Sequence, residues 1–145
     1  MKALLLALTF LAAPLSAQQG FDVSVTEACM ADALGYEERQ YCVGAAARQC
    51  MEYLGDSQGF AGCAGAETAW WEARMNGSFA RISSAANEEQ ANALAKMQAA
   101  WLAYRDEICA FEQVFGAGEA VSEAECLLWK TGDQAVFLED YLPRN

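Results

Sequence analysis

From Thr26 onward apolar residues return at helical steps, and strict alternation of apolar and polar positions never lasts more than a few residues. Ala, Leu, Met, Glu and Gln dominate, and both prolines, Pro14 and Pro143, stand near the ends. This pattern predicts an all-α fold, a small bundle of about four to five helices. A first pair of short helices spans about 26–34 and 37–54, with Gly35 at the break. A longer helix covers about 61–84, where Ala66, Trp70, Met75, Phe79 and Ile82 form a stripe that continues in phase past Asn76-Gly77.

The next helix opens on Asn87 with Gln90 three residues later, a capping-box pattern, and Glu88 and Glu89 fill the first turn where the dipole favours anions. Leu94, Met97, Trp101, Tyr104 and Ile108 make its apolar face, on which Trp101 and Tyr104 are expected as core anchors. Ser122 and Glu125 form a second capping box. The helix they open carries Cys126, Leu127, Trp129 and Leu138 toward a stop at Pro143, with Gly132 weakening its middle. Trp70 and Trp71 must point about 100° apart on a helix, so only a helix covered on two sides buries both.

The N-terminus reads as an address. Lys2 is a minimal positive region, Ala3 to Ala13 is an apolar run too short to span a bilayer, and Leu15-Ser16-Ala17 ends in a small residue. Residues 1–17 are therefore taken as a signal peptide cleaved after Ala17, with no cysteine at the new N-terminus to accept a lipid. Export to the periplasm or the exterior, without a membrane span after cleavage, is the expectation. The rest divides into a cysteine-rich helical hairpin region, 18–62, and a main helical domain, 63–145, packed as one unit.

Nine Lys plus Arg against twenty Asp plus Glu set the formal net charge at −11. Such a chain has no basic footprint for nucleic acid. The absence of histidine removes Ser-His-Asp and Cys-His nucleophile pairs and the histidine-bearing zinc sites. No cofactor and no metal are expected.

Six cysteines, at 29, 42, 50, 63, 109 and 126, form a framework in an exported chain, although six allow fifteen pairings. Each consecutive pair brackets a turn signal: Gly35 between Cys29 and Cys42, Gly55-Asp56-Ser57 between Cys50 and Cys63, Gly116-Ala117-Gly118 between Cys109 and Cys126. Residues equidistant from a tight helical turn face each other, which favours the sequential pairing. The competing reading is a copper site, since Met30 and Met51 adjoin Cys29 and Cys50.

The run from Gln98 through Trp101, Arg105, Asp106 and Cys109, followed by Cys126, Thr131 and Leu138, resembles the LprI-like lysozyme-inhibitor family, whose pattern is Q-x-x-W-x-x-x-R-D-x-x-C, then a cysteine, T-x-x-R and a leucine. Upstream, Cys63, Glu67, Trp71, Asn76 and Phe79 are similar to that family's first helix, with Glu67 at its acidic position. The resemblance covers about 63–142. Gln134 stands where the family usually shows an arginine, and Met75-Asn76 with Phe79 where Leu-Asn and Tyr are usual. It implies a helical fold, a Cys109–Cys126 bridge and lysozyme inhibition.

The residues themselves read as structural first. Arg105 and Asp106 suit a clasp on the last helix. An acidic protein would be steered toward a basic lysozyme, another envelope protein being the alternative partner, and acidity also keeps an exported protein in solution. The expected contact surface is the loop 113–123 with Glu119 and Glu123, then the turn 55–60. Two other functions compete. An envelope adaptor would bind a protein without inhibiting lysozyme. A carboxylate hydrolase would need a pair such as Glu67 with Glu72, Asp106 with Glu107, or Glu139 with Asp140, all of which read as solvated helix positions, so no enzyme is expected.

Overall fold

In a computed structural model, residues 21–54, 57–115 and 122–143 are described, and their regular elements are all α-helices. These are α1 (Ser24–Asp32), α2 (Tyr36–Tyr41), α3 (Ala45–Leu54), α4 (Ser57–Ala85), α5 (Glu88–Phe115) and α6 (Glu123–Glu139). The all-α, disulfide-stapled bundle expected from the periodicity is the fold, with one helix more because the segment 37–54 is broken. The signal-peptide residues, Glu119 and the turn at 55–56 lie outside the described residues.

Local side-chain caps open the last two helices. The Asn87 Oδ1 accepts from the Gln90 N–H at 2.9 Å while the Gln90 side chain accepts from the Asn87 N–H at 3.0 Å, a complete reciprocal box. The Ser122 hydroxyl accepts from the Glu125 N–H at 3.2 Å and opens α6. Asn76-Gly77 lies inside α4, and nothing approaches Gly77. The later residues of the expected 55–60 turn, from Ser57, already belong to α4, and α5 extends through Gln113 to Phe115.

Three disulfides staple neighbouring helices. Cys29–Cys42 joins α1 to the end of α2, Cys50–Cys63 joins α3 to α4, and Cys109–Cys126 joins α5 to α6, with Cα separations of 5.6, 5.8 and 5.5 Å. None of the six sulfurs is left as a thiol, so the copper reading loses its ligands. Closing loops of this size stabilises the fold by about 3 kcal/mol each.

Helix α6 is the hub. It packs most extensively on α4 and also against α5 and α2, and it buries residues on more than one face, among them Leu128, Thr131, Gln134, Ala135 and Leu138. Gly132 gives it a notch: a Cβ there would lie 2.4 Å from Val43 Cγ1, so the α2–α3 turn sits directly on the α6 backbone. The glycine that looked like a weakness is what admits Val43.

The break between α2 and α3 falls at Gly44, whose φ is +80°. Only glycine adopts that conformation without strain, and a Cβ would also meet the Trp129 ring at 3.1 Å. Gly44 has no side chain to cap α3, so the cap comes from elsewhere in the chain. Glu67 on α4, fully buried, accepts from the Gly44 N–H at 2.8 Å and from the Ala47 N–H at 2.7 Å. Its Oε1 also accepts from the Thr26 hydroxyl and the Trp71 indole N–H, both at 3.0 Å. The Thr26 hydroxyl in turn accepts from the Ala46 N–H at 3.1 Å. Every group facing Glu67 is a donor, as an ionised carboxylate requires.

This network shifts the expected α4 stripe. Cys63, Ala64, Glu67, Trp71, Met75 and Ser78 are the buried positions, while Trp70, Phe79 and Ile82 pack at the margin of the core. Trp71 is wholly buried, and Trp70 lies half-buried beneath the Arg74 guanidinium.

Two outcomes are expected. Glu67→Gln turns an amide NH2 toward N–H donors and should cost about 2–4 kcal/mol in urea unfolding of the disulfide-intact protein. Asp133, on α6 against the Gln40 amide, has its carboxyl pushed above the ordinary 3.8 by burial, with Lys130 and Gln40 pulling the other way. Its ionisation therefore opposes folding: stability from this site is greatest in acid, where the group is neutral in both states, and falls as pH rises through the folded value. Asp133→Asn should raise the Tm at pH 7 and match the parent protein at about pH 3.

Candidate functional site

The family-motif residues meet on the face where α4, α5 and α6 converge. Trp101, Arg105 and Cys109 recur every four residues along α5, and Thr131 lies a little over one turn beyond Cys126 on α6. The Arg105 side chain is only 13% exposed. Its Nη1 donates to Glu72 Oε1 on α4 at 3.1 Å and to the Thr131 hydroxyl on α6 at 3.3 Å. Nε and Nη2 both reach Asp106 Oδ1, at 2.9 and 2.8 Å, and the guanidinium lies 5.5 Å from the Trp101 ring centroid. One cation thus ties three helices, a task suited to a planar fork of five donors.

Gln134, at the position where an arginine is usual, is buried and makes a neutral bond in place of an ion pair. Its Nε2 donates to Gln98 Oε1 at 2.9 Å, and Gln98 Nε2 lies 3.3 Å from Met75 Sδ. Replacing a buried charge by paired amides avoids the cost of desolvating an ion there.

Of the carboxylates weighed for catalysis, Glu67 and Glu139 depart from the solvated positions expected of them, while Glu72, Asp106, Glu107 and Asp140 keep access to solvent. Glu67 is enclosed by its donors. Glu139 is nearly buried because Arg74 and Arg39 close over it, and Asp140 is paired with Arg39. Glu72 and Asp106 hold Arg105, and Glu107 alone of the six is exposed with no ion pair among the described residues. Tyr104 is a second correction. It is 53% exposed beneath Lys130 rather than a core anchor, because the buried line of α5 runs through Gln98 and Cys109, with Trp101 and Arg105 half-buried along it.

Among the described residues no group of three or more His, Cys, Asp and Glu could hold a metal ion. Two apolar surfaces remain. A groove of about 620 Å³ lies where α4 and α5 diverge, lined by Ile82, Leu94, Met97, Phe137 and Tyr141. At the other end of α5, past the Cys109–Cys126 bridge, Phe111, Val114 and Phe115 are 52, 77 and 69% exposed, with the two rings stacked at 4.6 Å. The hydrophobic pattern hides this second surface, because isolated aromatics near a helix end read equally well as core. Glu123 is exposed at the start of α6, on the same side of the bridge.

A family model described as lysozyme inhibitor LprI matches residues 47–138. No curated protein matches the chain, and no solved structure does. The matched region begins in α3 and includes the Cys50–Cys63 and Cys109–Cys126 bridges and the whole Arg105 cluster, leaving the Cys29–Cys42 hairpin outside it.

Arg105→Ala should lower stability by about 1–3 kcal/mol in urea unfolding, and Arg105→Lys should recover only part, because an ammonium cannot reach Glu72, Thr131 and Asp106 together.

Proposed function

The chain belongs to the LprI lysozyme-inhibitor family, and we propose that it is an exported inhibitor that docks an acidic, preorganised surface onto a basic lysozyme. The distribution of charge carries the reading. Glu27, Glu37, Glu38, Glu52, Glu107 and Glu123 face solvent, against the exposed Arg48, Arg81 and Lys96, while Arg39, Arg74 and Arg105 are each held in ion pairs. The excess of acidic over basic residues attracts a basic partner over a long range and raises the encounter rate. Three disulfides and the Arg105 clasp keep that surface rigid, so docking orders little that was not already ordered.

Export is supported by the cysteines, all six of them paired, as an oxidising compartment allows. No helix among the described residues is long and apolar enough to cross a membrane. Inhibition by docking calls on no catalytic residue, cofactor or metal, and of the carboxylates considered for hydrolysis all but Glu107 have the structural roles given above.

Clearing of a cell-wall suspension by a lysozyme of high isoelectric point, with and without the purified disulfide-intact protein, is the test. Inhibition is expected, with the inhibition constant rising about tenfold from roughly 20 to 200 mM salt as the Debye length falls about threefold. Absence of inhibition at the lower salt would refute the reading.

A further inference from the structure

We infer that the partner docks on the exposed end of α5, with Phe111, Val114 and Phe115 as its apolar centre and Glu107, Glu112 and Glu123 as its rim. This deepens the inhibitor reading and rests on it. The Cys109–Cys126 bridge fixes the geometry: with Cα atoms 5.5 Å apart, it holds the start of α6 beside α5. Phe111, Val114 and Phe115 continue α5 beyond the bridge by about 3–9 Å, and Glu123 lies about one turn back from it on α6. The patch is therefore anchored to a covalent crosslink and cannot drift relative to its rim.

Exposed rings are costly to leave in water, and here two stack on each other with no core residue to cover them. A cluster of aromatics within a polar rim is the usual composition of an interface centre. The rim also selects the partner. From Glu107 to Glu125 the described residues include Glu107, Glu112, Glu123 and Glu125 and no lysine or arginine. That charge repels a second copy of this protein and attracts a basic one, so the occupant is a cationic globular enzyme offering an apolar depression bordered by Lys or Arg. The groove near Tyr141 lacks this selectivity, since Arg81 and Lys96 adjoin its lining as well as Glu88 and Glu89.

The test uses the full disulfide-intact protein and the same basic lysozyme. Phe111→Ser with Phe115→Ser should raise the inhibition constant at least tenfold while leaving the Tm unchanged. Val114→Lys, at a side chain already in solvent, should do the same by placing a cation against a cationic partner. Glu107→Gln with Glu123→Gln should slow association and flatten its salt dependence. Tyr53→Ser, at an equally exposed tyrosine on α3, should inhibit like the parent protein. If the parent inhibits and the Phe111, Phe115 and Val114 variants inhibit equally well, the docking surface lies elsewhere and this inference is overturned while the inhibitor reading stands. If the parent itself does not inhibit at low salt, both are overturned.

Discussion

A carboxylate removed from water loses solvation worth several kcal/mol or more, and it persists in a folded protein only where donors converge on it. Glu67 meets that demand with the Gly44 and Ala47 N–H groups, the Thr26 hydroxyl and the Trp71 indole. Two of these donors open α3, where the helix dipole also favours a negative charge. The exchange is mutual: α3 begins on a glycine that cannot cap it, and Glu67 supplies the cap. Helix α1, the α2–α3 turn and α4 are thereby held in register by one side chain. Moving any of them would leave a buried charge or a buried N–H without a partner.

The same logic extends outward. Val43 precedes Gly44, and the turn that Glu67 fixes is the one that drops Val43 into the notch at Gly132 on α6. Helix α6 is held from its other sides by α4 and by the Arg105 clasp from α5, so constraints that begin at Glu67 meet those of the family motif along a single helix. Thr26 and Gly44 stand ahead of the region matched by the family model, whereas Glu67 and Trp71 lie within it. The N-terminal hairpin is thus joined to the matched helices through Glu67.

Ion pairs across helices are used as clasps: Arg39 and Arg74 close on Glu139, and Arg105 on Glu72. The acidic exterior comes from the excess of Asp and Glu over Lys and Arg in the chain. The exposed aromatics at the end of α5 are two phenylalanines stacked on each other, whereas Tyr41 and Tyr53, exposed to a greater degree, each carry a hydroxyl for water.

Helices, caps and staples were legible in the chain because they depend on neighbours a few residues apart or on simple spacing. Asn87 with Gln90, Ser122 with Glu125, and cysteines set symmetrically about glycine-containing turns are signals of that kind. Net charge and the R-D motif ahead of Cys109 were equally plain. The tertiary structure decided what those signals could not: that α2 and α3 separate at Gly44, that Glu67 is buried, that Gly132 receives Val43, and that Tyr104 faces outward. Glu67 shows why. The donors that make its burial tolerable come from residues 20 to 41 positions away, apart from Trp71, and no window of helical length contains them. Hydrophobic periodicity assigns a carboxylate to the solvent, and only the assembled bundle brings together enough donors to reverse that assignment.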